Sequence, residues 1–464
     1  MPSNSPHADE LRDVVAAGLP AAIADLSELV RIPSVSWEGF DHDHVAASAA
    51  AVAALATGTG VFDEVEIVRH PIPATGQLGL PAVIATRAAK NGRPTVLLYA
   101  HHDVQPPGQE ADWDSAPYEP TLRGERLYGR GAADDKAGVM AHIGAIRALL
   151  SVESDPDVGI VLFAEGEEEF GSRSLPAILE AHHDKLAADA IVVADSGNWD
   201  LETPALTVGL RGAVAFNLRI STLDHASHSG QFGGAVPDAM LAAIRLCATF
   251  WNPDGSVAVA GLHSHAADTP EYGEQQLRDE TGLLEGVTPI GSGDLLSRTW
   301  YQPSITVTGI DAPSVKNASN TLIPSVRVRV SARVAPGQTW QDYFAALEAH
   351  IAAHVPHGAR WQIEDIDSGQ PFLVDTSGWA AGEALEAMHE AFGKEPVLMG
   401  SGGSIPFIAD LVTRYPSAQI LITGVEDPDA RAHSPNESLH LPTFEHAILT
   451  EALLLSRLNA RSEA

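Results

Sequence analysis

The chain is short of cysteine and of positive charge. One cysteine, Cys247, in 464 residues excludes an intramolecular disulfide and a cysteine-rich zinc module. It lies in AMLAAIRLCATF, whose apolar spacing is helical, so a buried and inert thiol is the expectation. Lys and Arg number 28 against 61 Asp and Glu, a formal charge of -33, which repels nucleic acid and anionic membranes and excludes both as partners. No apolar run is long enough to span a bilayer. The first residues, MPSNSPHADELRDVV, have neither a basic nor an apolar leader region, and the expected location is cytoplasmic. Internal repeats and low-complexity tracts are also lacking.

What is present is a globular balance, with 45% hydrophobic and 19% charged residues. The length exceeds one ordinary core and predicts two domains, one interrupting the other. Apolar positions recur at helical spacing from Ala8 to Val30, until the proline of RIPSVS ends the helix. Strand-like runs follow: TVLLYA (95–100), GIVLFAE (159–165), AIVVAD (190–195) and QILITGV (419–425). With helical segments between them, such as Lys136 to Leu150, they predict an α/β domain with a mostly parallel sheet.

From about Gly212 to Asp367 the texture changes. AVAFNLRIS, SITVTGI and SVRVRVSARVA alternate apolar and polar residues, as a sheet with one solvated face does. With AVPDAMLAAIRLCATF and TWQDYFAALEAHIAAH as helices and RWQIEDIDS closing, the order is strand, helix, strand, strand, helix, strand, an inserted α+β domain of split βαβ type. The expected divisions are 1–211, 212–370 and 371–464. Residues 251–300 form a Gly- and acid-rich insertion of weak periodicity.

The candidate chemistry lies where the strands end. VLLYAHHDVQPPG (96–108) places His101, His102 and Asp103 at the carboxyl end of an apolar run, the edge of an open α/β sheet where ligands bind. YGRGAADDKAG (128–138) puts Asp134 and Asp135 in a Gly-rich turn that opens a helix. FAEGEEEFGS (163–172) sets four glutamates around a strand end, VVADSGNW (192–199) offers Asp195, and GVEDPDARAHSPNE (424–437) offers His433. Each alone has an ordinary explanation: a loop-bonded imidazole, a helix cap or a solvated acidic face. Together they deliver two imidazoles and several carboxylates, with no thiolate, to one crevice. That set suits Zn²⁺ or Mn²⁺, and a bridging carboxylate suits two ions about 3.5–4 Å apart. The motifs read as a two-metal hydrolytic site.

In this order the motifs resemble the co-catalytic zinc metallopeptidase family of carnosine dipeptidases, glutamate carboxypeptidases, aminoacylases and succinyl-diaminopimelate desuccinylase. The likeness runs from RIPSVS to HSPNE. It is closest to the dipeptidase branch, whose H-x-D-V-Q-P, G-R-G-x-x-D-D-K, E-G-x-E-E-x-G-S and G-G-S-I-P patterns stand at 101–106, 129–136, 165–172 and 402–406. The resemblance implies two Zn²⁺ per subunit, with Mn²⁺ as the alternative. His101 and Asp195 would bind one ion, Glu169 and His433 the other, and Asp134 would bridge them. Asp103 would accept the His101 N–H and Glu168 would be the general base, while His102 has no ligand role and Asp135 supports the turn.

In HASHSGQFGG (225–234) the resemblance implies that His228 hydrogen-bonds the oxyanion, in relatives from the neighbouring subunit, and hence a homodimer. Residues 212–370 would then be a lid and dimerisation domain, and 1–211 with 371–464 the catalytic domain. Arg333, in SARVAPG, would hold a substrate carboxylate, as a planar guanidinium does well. Gly402, Gly403 and Ser404 would present backbone N–H groups to the same carboxylate. The chain departs from the pattern at Ala137 in DDKAG, at Pro237 and Asp238, and at LMGS before GGSIP, places that concern substrate choice and remove no metal ligand. The implied activity is hydrolysis of the amide bond of dipeptides or short peptides with a free C-terminal carboxylate. An N-acyl amino acid deacylase using the same two metals is the alternative.

Overall fold

The structure is a computed structural model that describes residues 5–403 and 406–461. The chain divides into two compact units, one of residues 1–208, 374–399 and 406–464, the other of 209–373 with 400–405.

The first unit is built on a mostly parallel sheet. Its centre is four parallel strands in the order Gly159–Glu165, Thr95–His101, Ala190–Val193, Gln419–Ile422. These are the four apolar runs read from the sequence. They are buried along nearly their whole length, which is why they show no polar alternation. Antiparallel strands flank them, Ala82–Arg87 and Glu64–Val68 on one side and Ala205–Leu210 on the other. The helix Ala8–Val30 buries Leu11, Val15, Ala22, Leu26, Leu29 and Val30 along one stripe and stops short of Pro33, which cannot continue it. It packs with Lys136–Val152 and Leu441–Ala460. His142, on the helix Lys136–Val152, holds the carbonyl of Tyr99 at 2.9 Å with Nε2 and Glu451 at 2.8 Å with Nδ1, tying helix, strand and helix together.

The second unit is a four-stranded antiparallel sheet in the order Ser304–Asp311, Ser325–Val334, Gly212–Ser221, Arg360–Gly369. The strict alternation of burial along Gly212–Ser221 sets Val214, Phe216, Leu218 and Ile220 against the helices Ala239–Cys247 and Trp340–His354. This is the split βαβ order. Asp238, one of the departures noted above, caps the first helix by accepting the Leu241 N–H at 2.9 Å. Cys247 is half-buried rather than buried, and burial pushes its thiol up to about 11, so it is inert at neutral pH. The 251–300 insertion carries two short helices, Glu274–Thr281 and Leu295–Trp300. Among the described residues no helix is long and apolar enough to cross a membrane.

Candidate metal centre

Parallel register sets the first residues of the site. His101 and Glu165 are partners at the carboxyl ends of adjacent strands, and Asp195 follows the neighbouring strand Ala190–Val193. After Glu165 the chain must pass the carbonyl of Pro81 closely. A Cβ on Gly166 would stand 2.2 Å from that oxygen, so only glycine fits there. A single 3-10 turn, Glu168–Phe170, then presents both glutamates. A small sheet does the rest. Ser438–His440 pairs with Arg126–Tyr128, itself a hairpin partner of Thr121–Arg123, and this brings the loops holding Asp134 and His433 together.

Asp134 is the centre of the cluster. Its Oδ1 lies 3.1 Å from His101 Nε2 and its Oδ2 lies 2.9 Å from His433 Nε2. His433 Nε2 is also 3.3 Å from Glu169 Oε2, and His101 Nε2 is 4.0 Å from Glu168 Oε2. Two groups offer converging donor atoms within 4.8 Å of one another: His101, Asp134 and Glu169, and His101, Glu168 and Asp195. His101, Asp103, Asp134, Glu168, Glu169, Asp195 and His433 therefore all belong to one locus of this unit.

The electrostatics show what such crowding costs. Burial raises Glu168 to about 8, with Glu169, Asp103 and Asp134 adding like charge. Burial and Glu168 push Asp195 well above the carboxylate range, and burial and Asp134 raise Glu169. Hydrogen bonds to Asp134 and Glu169 lift His433 to about 11. Protons are thus held where negative charge is in excess, and a dication would take their place. Glu169 Oε1 is buried with no hydrogen-bond partner among the described residues, an orphan that a cation would satisfy. Imidazole nitrogen and carboxylate oxygen without thiolate fit Zn²⁺ or Mn²⁺.

The surrounding residues hold this geometry. His101 Nδ1 is 3.1 Å from the Asp103 carbonyl and 3.4 Å from its Oδ1, which leaves Nε2 to face Asp134. The His101 ring is hydrogen-bonded to the Asp103 backbone carbonyl, and the Asp103 carboxylate accepts the N–H of Glu168 at 3.2 Å and of Glu169 at 3.1 Å. Asp135 accepts the His101 N–H at 3.1 Å, joining the Asp134 turn to the strand end. His102 is fully buried against the Pro81 carbonyl, and burial lowers it to about 4, so it stays neutral and apart from the cluster.

Two contributors went unread in the sequence. Gln105 donates to Glu169 Oε2 at 2.6 Å. Glu437 is fully buried and takes four N–H groups: Ala133 at 2.9 Å and Asp134 at 3.1 Å on Oε1, Arg130 at 2.6 Å and Gly131 at 3.0 Å on Oε2. Both stand inside the motifs DVQPP and HSPNE, but a loop has no period to reveal which side chain turns inward.

The remaining candidates belong to the second unit. His228 is exposed and its Nδ1 accepts the Gly230 N–H at 3.0 Å, so the neutral ring carries its proton on Nε2. Arg333 is half-buried, opposite Ser304 on one neighbouring strand and Ala213 on the other. Gly402 packs beside Arg211. The Gly403 N–H donates to Ser401 Oγ at 3.1 Å. Ser404 lies outside the described residues.

A mostly parallel sheet whose carboxyl edge gathers imidazoles and carboxylates in this way is the scaffold of a metallopeptidase. The chain belongs to peptidase family M20/M25/M40, whose model matches residues 97–457. It is 32% identical over 396 residues to a cysteinylglycine-S-conjugate dipeptidase of Corynebacterium striatum, covering 84% of this chain and 86% of that one. It is 27% identical over 400 residues to a β-Ala-His dipeptidase of Rattus norvegicus, covering 82% and 80%. The solved structure of human carnosine dipeptidase 1 superimposes with a TM-score of 0.78 at 23% identity, over 98% of this chain and 100% of that one, a likeness of fold.

Proposed function

We propose that the protein is a two-metal dipeptidase that cleaves the amide bond of dipeptides or short peptides bearing a free C-terminal carboxylate. The observation that carries this reading is Asp134, with one oxygen turned to His101 and the other to His433. His101 and Asp195 would hold one ion, Glu169 and His433 the other, and Asp134 both. Relatives whose names specify Cys-Gly conjugates and β-Ala-His support the substrate class. Two Zn²⁺, or Mn²⁺ in their place, would supply Lewis acidity for the water and for the scissile carbonyl.

The chain's own groups do the remainder. Glu168 takes a proton from the attacking water and returns it to the leaving amine. Asp103 fixes the ring of His101 and the backbone of Glu168 and Glu169. His228, with its proton on Nε2, donates to the developing oxyanion, and Arg333 pairs with the substrate carboxylate. Residues 212–370 serve as lid and dimerisation domain between 1–211 and 371–464, and the working form is a cytoplasmic homodimer.

The test is hydrolysis of free dipeptides against N-acetyl amino acids by protein stripped with chelator and reloaded with Zn²⁺ or Mn²⁺. Metal-dependent cleavage of the dipeptides is expected. Cleavage of the acetylated compounds alone would make the protein a deacylase, and cleavage of neither would overturn the reading.

A further inference from the structure

Arg211 lies in the second unit, between the strands Ala205–Leu210 and Gly212–Ser221, and is only 9% exposed. Among the described residues its guanidinium meets neutral oxygens alone. Nη1 donates to the carbonyls of Arg298 and Gln302, both at 3.3 Å, and to Ser304 Oγ at 3.4 Å. Among the described residues buried Nε has no partner, and the hydrogen bonds of the guanidinium all run through Nη1. Arg219, in the same unit, shows what that edge ordinarily does: its Nε and Nη2 grip Glu364 at 2.9 and 3.0 Å. Among the described residues the corresponding edge of Arg211 holds no carboxylate.

The open edge faces identifiable neighbours. A Cβ on Gly402 would lie 2.9 Å from Arg211 Nη2, so the absent side chain is what lets the backbone rest against the guanidinium. The Arg211 N–H also donates to the Ser401 carbonyl at 3.2 Å. Ser304, which accepts from Nη1, is the register partner of Arg333 on the next strand. Burial, with Arg333 acting as a like charge, lowers Arg211 to about 10. Among the described residues neither arginine has an acidic partner within ion-pair distance. A buried cation without a counter-ion is costly, and a second one nearby makes it more so.

We propose that Arg211 is a positioning residue for the free α-carboxylate of the substrate, setting the Gly402 backbone and the field around Arg333 so that a carboxylate is preferred over its neutral amide. This rests on the dipeptidase reading and adds to it a residue that selects the substrate's charged end. The negative charge missing beside the two arginines is then supplied by the substrate carboxylate that Arg333 holds.

The experiment compares alanyl-leucine with its C-terminal amide, using Zn²⁺-reloaded wild type, Arg211→Met and Arg211→Lys. The ratio of kcat/KM for acid over amide should fall about tenfold or more in Arg211→Met, as when the partner of a hydrogen bond to a charged group is displaced. The change should sit in KM for the free acid, with partial recovery in Arg211→Lys, which restores charge without the fork. A purely structural role would depress both substrates alike, so an unchanged ratio in both variants overturns the proposal while leaving the dipeptidase reading intact. Should wild type cleave neither compound, calorimetry with leucine and leucinamide decides. A preference for leucine that disappears in Arg211→Met supports the proposal although the dipeptidase reading falls, and no preference refutes both.

Discussion

Replacing Glu437 by Gln should loosen the metal centre without touching any candidate ligand. Each Glu437 oxygen accepts two N–H groups, so the amide NH₂ must face two donors whichever way it turns. If it faces Ala133 and Asp134, the turn that carries Asp134 loses both anchors. If it faces Arg130 and Gly131, a guanidinium only 1% exposed keeps its charge beside a donor. Breaking one side of a buried ion pair costs about 3–5 kcal/mol, and each orphaned N–H costs about 1–3 kcal/mol. These act at one site and do not add, so about 3–5 kcal/mol is the expected total. Urea unfolding of the metal-free protein measures it, and chelator competition should show Zn²⁺ affinity reduced about 10- to 100-fold. Adding Arg130→Met removes the stranded charge and should recover part of the stability. A midpoint and a Zn²⁺ affinity both equal to wild type would refute the argument.

Three further outcomes are expected. Glu168→Gln should retain bound metal by elemental analysis while kcat falls by about 10²–10⁴, the share of a general base; unimpaired turnover would remove Glu168 from that role. His228→Ala should lower kcat about 10²–10³-fold. Mixed dimers of that variant with Glu168→Gln should regain activity, and failure to do so would count against sharing of His228 between subunits. His142 supplies a pH test of stability. Burial opposes its charge, but Glu451 and the Tyr99 carbonyl accept from both ring nitrogens and raise it above the ordinary 6.5. Because the folded-state value is the higher one, its contribution is complete below about 6.5 and is lost as pH rises through the folded-state value. Urea midpoints should therefore decline with rising pH more steeply in wild type than in His142→Gln, and parallel slopes would contradict the imidazolium assignment.

The parallel centre of the first unit was legible because strands covered on both faces carry uninterrupted apolar runs, and TVLLYA, GIVLFAE, AIVVAD and QILITGV are such runs. The alternation in AVAFNLRIS was equally plain, since one face of its sheet is solvated. Strand ends then marked His101, Asp195 and the 168–169 glutamates as candidates, because chemistry in an open sheet collects at the carboxyl edge. Local patterns record only neighbours along the chain, and other features of the site join distant residues. Asp134 N and Glu437 are 303 positions apart, and Asp103 reaches Glu168 across 65. Which oxygen of Asp134 faces which imidazole was settled by the sheet that pairs Ser438–His440 with Arg126–Tyr128. The inward turn of Glu437 and Gln105 is likewise absent from local pattern, since both sit in loops without a period. Composition and periodicity determined the layers and the edge where polar groups could gather; tertiary structure decided which of them converge, because convergence depends on strand register and loop packing rather than on any one segment.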